Sequence, residues 1–178
     1  MYGDSDSYSG YIFDLERTFK EVSLICVAAM LSQWKDSQLE ELWVEDSAGS
    51  TDSSVCFAQT LAQLPLKQLR LTANEMTQKG LLECFKSLRS MRTLYSLTIT
   101  KTPAMTDPKV LSGLIQCLST LSLGNLNLCS NSLTESQVTE VLQATAKMEQ
   151  LQTLLIKYGN TFTTEHEALL KDRVSVVR

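Results

Sequence analysis

The chain has 178 residues, enough for one sizeable domain, and a formal charge of −4 from 16 basic and 20 acidic side chains. Lys and Arg are scattered, so there is no clustered basic stripe of the kind a phosphate backbone requires, and nucleic acid is not expected as a partner. The longest strongly apolar run, Leu24 to Leu31, falls well short of the roughly 20 residues that span a bilayer, so no membrane association is expected.

Taken in chain order, residues 1–10 are rich in Ser, Gly, Tyr and Asp, without the basic stretch and apolar core of a secretory signal, and are expected to form a disordered tail. Residues 11–38 read as an N-terminal helical cap or partial repeat. A helix over about Asp14 to Trp34 places Leu15, Phe19, Val22, Ile25, Ala29 and Trp34 on one side, and Tyr11-Ile12-Phe13 is the candidate strand ahead of it. The favoured reading is a repeat cut at its start, which makes the chain part of a larger protein.

From residue 39 onward one strand signature, Leu-x-x-Leu-x-apolar, returns five times. It reads Leu39-x-x-Leu42-x-Val44, Leu66-x-x-Leu69-x-Leu71, Leu94-x-x-Leu97-x-Ile99, Leu123-x-x-Leu126-x-Leu128 and Leu151-x-x-Leu154-x-Ile156. The first positions are 27, 28, 29 and 28 residues apart. That period with that strand pattern predicts a leucine-rich-repeat solenoid, an α/β horseshoe segment of about five repeats with a parallel sheet on its concave face and helices on its convex face.

Helix start signals keep the same beat. Thr77 precedes Leu81, Leu82, Phe85 and Leu88; Thr106 or Asp107 precedes Pro108, Val110, Leu111, Leu114, Leu118 and Leu121. Thr134-x-x-Gln137 and Thr164-x-x-Glu167 match the capping box. The first unit is looser, with a turn-rich Ala48 to Ser54 before a helix through Phe57, Leu61 and Leu64 that Pro65 closes. Val174 to Val177 reads as a C-terminal edge strand, so the repeats occupy 39–178.

The five cysteines, Cys26, Cys56, Cys84, Cys117 and Cys129, are odd in number, form no Cys-x-x-Cys pair and fall mostly in apolar helical stretches. They are expected to be reduced core residues, which points to the cytoplasm, with the nucleus also compatible. There is no Gly-rich phosphate loop, no nucleophile elbow and no Cys and His pair within a motif. No catalytic residue, cofactor, metal or small-molecule substrate is therefore assigned. His166, the one histidine, is expected to be a solvated helix residue.

Function is expected on the sheet. Side chains alternate across a strand, so in Leu-x-x-Leu-x-Leu the leucines face the core and the residues between them face outward. Leu69, Leu97 and Leu126 are thus structural. The outward triplets run Glu41, Trp43, Glu45; Gln68, Arg70, Thr72; Ser96, Thr98, Thr100; Asn125, Asn127, Cys129; and Thr153, Leu155, Lys157. One end is acidic around a tryptophan, the middle small and neutral, the far end apolar and basic. Trp43 either anchors a partner or covers the open edge of a terminal repeat against the upstream helix. Glu41, Trp43, Glu45, Arg70, Lys157 and Tyr158 are the candidate partner-binding residues.

The run Leu66-x-x-Leu69-x-Leu71-x-x-Asn74-x-Met76-Thr77-x-x-Gly80-Leu81, and Leu123 to Thr134 with Asn131, resemble the ribonuclease-inhibitor type of leucine-rich repeat. The resemblance implies that Asn74 and Asn131 bond backbone in the strand-to-helix loops. The pattern departs at Ser47, Thr102 and Gly159, where the asparagine is missing. In addition, Leu154 to Gly159 followed by Phe162-Thr163 looks like the last repeat of the tropomodulin and leiomodin actin-binding proteins.

The function these features imply is that of a non-catalytic protein-protein interaction module that binds a protein partner through its concave face, within a larger intracellular protein such as an innate immune sensor receptor. The alternatives are an actin or cytoskeletal regulator of tropomodulin-like type, and a GTPase-activating protein in which Arg70 serves as an arginine finger.

Overall fold

The computed structural model describes residues 12–14, by their backbone, together with residues 23–33 and 39–170. Strands and helices alternate: β1 (Ile12–Asp14), α1 (Leu24–Ser32), β2 (Glu41–Glu45), α2 (Thr51–Leu61), β3 (Gln68–Thr72), α3 (Gln78–Leu88), β4 (Ser96–Thr100), α4 (Pro108–Leu118), β5 (Asn125–Asn127), α5 (Glu135–Thr145), β6 (Thr153–Leu155) and α6 (Thr164–Leu170). Every strand pairs in parallel with the next in sequence, giving one sheet in the order β1 to β6. Each helix packs on the next in the same order.

The leucine spacing sets the register. Leu42, Leu69, Leu97, Leu126 and Leu154 align across adjacent strands, and each is at most 1% exposed. Val44, Leu71 and Ile99 form a second buried row. From the helix layer Phe57, Phe85, Leu81, Leu88, Leu114, Val138 and Val141 meet them, so one continuous core runs from α1 to the last unit. Burying each leucine contributes about 1.5–3 kcal/mol, which is why a chain with so few aromatic residues holds together.

Helix entry follows local chemistry. Thr77 Oγ1 accepts the Gly80 amide, Asp107 Oδ1 accepts the Lys109 and Val110 amides, and Thr134 with Gln137 closes a complete capping box. Thr106 does not cap: it ends a short 3-10 turn, Pro103–Thr106, and Asp107 takes the role. At α6 the expected Thr164 and Glu167 box is replaced, because Thr164 is already helical and it is the Thr163 amide that finds a partner, in His166 Nδ1 at 3.0 Å.

The loops after the strands are tied by asparagine. Asn74 Oδ1 accepts the Ser47 amide at 3.0 Å while its Nδ2 donates to Val44 O. Asn131 does the same to Thr102 N and Ile99 O, and adds Leu128 O. Ser47 and Thr102 need no asparagine of their own to satisfy their amides, since the following unit supplies one. The last unit also keeps its asparagine, one residue later than the spacing suggests. Asn160 Oδ1 accepts the Asn131 and Leu133 amides, and its Nδ2 donates to Leu128 O and Ile156 O. The residue just before each of these positions has positive φ: Asp46, Ala73, Lys101, Ser130 and Gly159. At Gly159 a Cβ would fall 2.6 Å from Ser130 Cα, so glycine is required there.

Two expectations change. The buried face of α1 carries Leu24, Val27, Ala28 and Leu31, whereas Ile25 is 46% exposed and Ala29 is exposed, so the apolar stripe is rotated from the one anticipated. Cys84 and Cys117 are buried as core residues, but Cys26 is exposed and Cys56 and Cys129 are half-buried. Leu15, Phe19, Val22, Trp34, the tail over 1–10 and the edge strand at Val174 to Val177 lie outside the described residues.

Candidate protein-interaction face

Alternation puts Glu41, Trp43 and Glu45 of β2 on the sheet face opposite Leu42 and Val44. Arg70 of β3 pairs in register with Trp43, and its guanidinium carbon lies 5.3 Å from the centre of the Trp43 ring. Arg70 Nε also donates to Thr72 Oγ1 at 3.3 Å, and Thr72 Oγ1 meets Thr100 Oγ1 at 3.1 Å. Beside this stack Gln68 Nε2 donates to Glu41 Oε1 at 2.6 Å, and Lys67 bridges Glu40 at 2.6 Å. Four of the six expected contact residues therefore sit together: Glu41, Trp43 and Glu45 half-buried, Arg70 exposed. The ring is held by a cation on one side of a strand that is not the sheet edge, since Asp14 of β1 pairs with Trp43 on the other. The reading of Trp43 as the cover of an open edge does not fit that placement.

Lys157 and Tyr158 are not part of this group. They follow β6 in the loop to α6, four strand spacings or roughly 19 Å from β2. The Lys157 ammonium bonds Glu167 of α6 at 2.9 Å and lies 5.7 Å from the Phe162 ring centre, while Tyr158 is 81% exposed. The outward triplets also shorten here, because β5 and β6 end at Asn127 and Leu155, leaving Cys129 and Lys157 beyond them.

Between the two groups the sheet face carries a shallow dent of about 240 Å³ lined by Ser96, Thr98, Asn125, Asn127, Thr153 and Leu155. Just ahead of β4, Tyr95 lies over Gly124, where a Cβ would come within 2.0 Å of the ring, and its hydroxyl meets Gln152 Oε1 at 3.3 Å. Sequence reading passed over Tyr95 because it sits one position before the strand. Its signal was the glycine in the matching position one unit later. A larger open cleft, about 650 Å³, lies between the C-terminal halves of α4 and α5 over Leu118, Leu121 and Met148.

His166 is not a solvated residue. It is 2% exposed, with Nδ1 accepting the Thr163 amide, Nε2 2.9 Å from Thr139 Oγ1 and the Phe162 ring 5.1 Å away. Next to it, a hydrogen bond from the Thr163 side chain holds the exposed Glu165 carboxyl below its usual value. Burial drives the Cys84 thiol well above its ordinary range, with Glu83 adding to the effect, and pushes Cys117 up to about 12 against a slight pull from Arg89. Thiols so held are poor nucleophiles and poor ligands. Among the described residues no three His, Cys, Asp or Glu side chains are grouped to hold a metal, and no helix is long and apolar enough to cross a membrane.

A parallel sheet in strict sequence order, a leucine row through β2 to β6 and a helix after each strand fit a leucine-rich-repeat-like α/β fold. No family model matches the chain, and no curated protein matches it. Among solved structures it is similar to actin-binding site 2 of leiomodin-1, with a TM-score of 0.67 at 13% identity, over 85% of this chain and 87% of that one. At that identity the likeness concerns the fold.

Proposed function

We propose that this chain is a non-catalytic protein-interaction module of leucine-rich-repeat solenoid type, and that its partner docks on the concave sheet face around Trp43 and Arg70. The observation that carries the reading is the Trp43 and Arg70 stack, a large aromatic surface fixed beside Glu41 and Glu45 on a rigid sheet. Tryptophan and arginine are enriched among the residues that dominate binding energy, and a preformed sheet loses little conformational freedom on association. The acidic surroundings favour a partner with a basic or mixed surface.

Actin is the first partner to test. The last-repeat similarity to tropomodulin and leiomodin and the fold shared with a leiomodin-1 segment named for actin binding both support it. Purified chain is expected to alter pyrene-actin elongation, and Trp43→Ala with Arg70→Ala to weaken the effect at least about tenfold, a 1.4 kcal/mol loss. Unchanged elongation with the wild-type chain removes actin; an equal effect from the double variant removes the Trp43 patch.

A role within a larger innate immune sensor receptor rests on the sequence resemblance, and cytoplasmic residence on the reading of the five cysteines as reduced. A GTPase-activating role is disfavoured by the engagement of the Arg70 guanidinium with Trp43 and Thr72.

A further inference from the structure

Arg70 is anchored at one end of its guanidinium and open at the other. Its Nε donates to Thr72 Oγ1 at 3.3 Å, and Thr72, itself 3% exposed, is tied to Thr100 Oγ1 at 3.1 Å. The guanidinium carbon stands 5.3 Å from the centre of the Trp43 ring, which holds the cation without supplying an acceptor. Neither contact occupies Nη1 or Nη2, and among the described residues no acceptor bonds them. The side chain is exposed, so this edge reaches solvent with its donors already oriented. A planar carboxylate matches such an edge with two parallel bonds.

The adjacent acids on β2 are turned to other partners. Glu40 meets Lys67 at 2.6 Å, and Glu41 Oε1 accepts from Gln68 Nε2 at 2.6 Å. Gln68 is neutral, so its bond leaves the charge of Glu41 uncompensated. Glu41 pairs in register with Gln68, which puts it one strand spacing across and two residues along from Arg70, roughly 8 Å away.

We propose, resting on the docking reading above, that Arg70 is a carboxylate receptor, and that the partner segment it takes carries an acidic and a basic side chain two positions apart, the acid on the Arg70 Nη edge and the base beside Glu41. In an extended segment such side chains stand about 6.7 Å apart, and the flexible stem of a lysine covers the remainder. A uniformly basic segment meets Arg70 as a like charge. A phosphate or an acidic run meets Glu41 and the exposed Asp46. Alternating signs satisfy both sites, and the like-charge contacts reject the other two kinds of partner.

The test titrates the full chain with three peptides capped at both ends, Lys-Thr-Glu-Thr-Lys, Lys-Thr-Gln-Thr-Lys and Glu-Thr-Glu-Thr-Glu, at low salt, reading the Trp43 indole and the β3 amides by NMR. The lysines on both sides of the first peptide make the direction of the bound segment immaterial. It is expected to bind about fivefold or more tighter than either control, the scale of a bidentate pair at an exposed site. In Arg70→Gln the preference for glutamate over glutamine is expected to vanish, and in Arg70→Lys, which keeps the charge but loses the paired donors, most of it is expected to go. Equal binding of the glutamate and glutamine peptides, equal or tighter binding of the all-glutamate peptide, or a preference retained in Arg70→Gln would each overturn the proposal. Actin takes no part in this titration, so the partner and the charge preference of the patch can each fail alone.

Discussion

Gly80 on α3 and Ser54 on α2 approach so closely that a Cβ at Gly80 would fall 2.0 Å from Ser54 Cβ and 3.3 Å from Ser54 Cα. The buried Ser54 Oγ has no hydrogen-bond partner, so serine is there for its size. Gly80→Ala is expected to cost about 1–3 kcal/mol in urea unfolding, and Ser54→Gly in the same chain to recover much of it. Equal losses in both backgrounds would show that the two helices do not meet there.

Asn131 is 2% exposed and serves three backbone groups of its own and the preceding unit. Asn131→Ala strands a buried amide and two carbonyls, with an expected loss on the order of 3 kcal/mol in thermal unfolding, larger than that of the half-buried Asn160→Ala.

Leu97 belongs to the aligned leucine row and is fully buried. Leu97→Ala is expected to lower stability by about 2–5 kcal/mol, and a loss under about 1 kcal/mol would contradict its place in the core.

Arg70 is exposed, and its stack on Trp43 is worth only about 0.5–1 kcal/mol to folding. Arg70→Ala should therefore leave the unfolding midpoint nearly unchanged. Any loss of partner capture in that variant then reports on contact with the partner.

The cysteines divide by burial. Cys26 is expected to react with iodoacetamide in the folded chain, and Cys84 and Cys117 only after unfolding, as followed by mass spectrometry. Both buried thiols titrate above their ordinary value of 9.0, so folding binds their protons more tightly. Stability is unaffected by them below about pH 9 and declines above it as the unfolded thiols ionise.

The fold was legible because the chain repeats its instructions: the aligned core-facing leucine returns in every unit from β2 to β6, and five strands fall where the pattern places them. The patch was half legible. Alternation alone brought Glu41, Trp43, Glu45 and Arg70 to one face, but it carried Lys157 there too, because it could not foresee that β6 stops at Leu155. His166 was misread for a related reason. On its own helix it has glutamates on both sides, and only the neighbouring α5, which sequence distance hides, supplies the threonine that buries it. Ile25 was misplaced because the stripe was phased on Leu15, Phe19 and Val22, whereas within α1 the buried face is set by Leu24, Val27, Ala28 and Leu31.

Asn160, arriving one residue late yet landing on the same backbone partners, separates the length of a segment from its place in the stack. What each module must conserve is the docking point, and spare residues are absorbed just ahead of it. A deletion from Thr102 through Ser130, 29 residues bounded by two equivalent docking points, joins Lys101 to Asn131 in phase. Such a truncated protein should refold as the same architecture minus one storey, a route to tailoring the molecule's span by cut and splice.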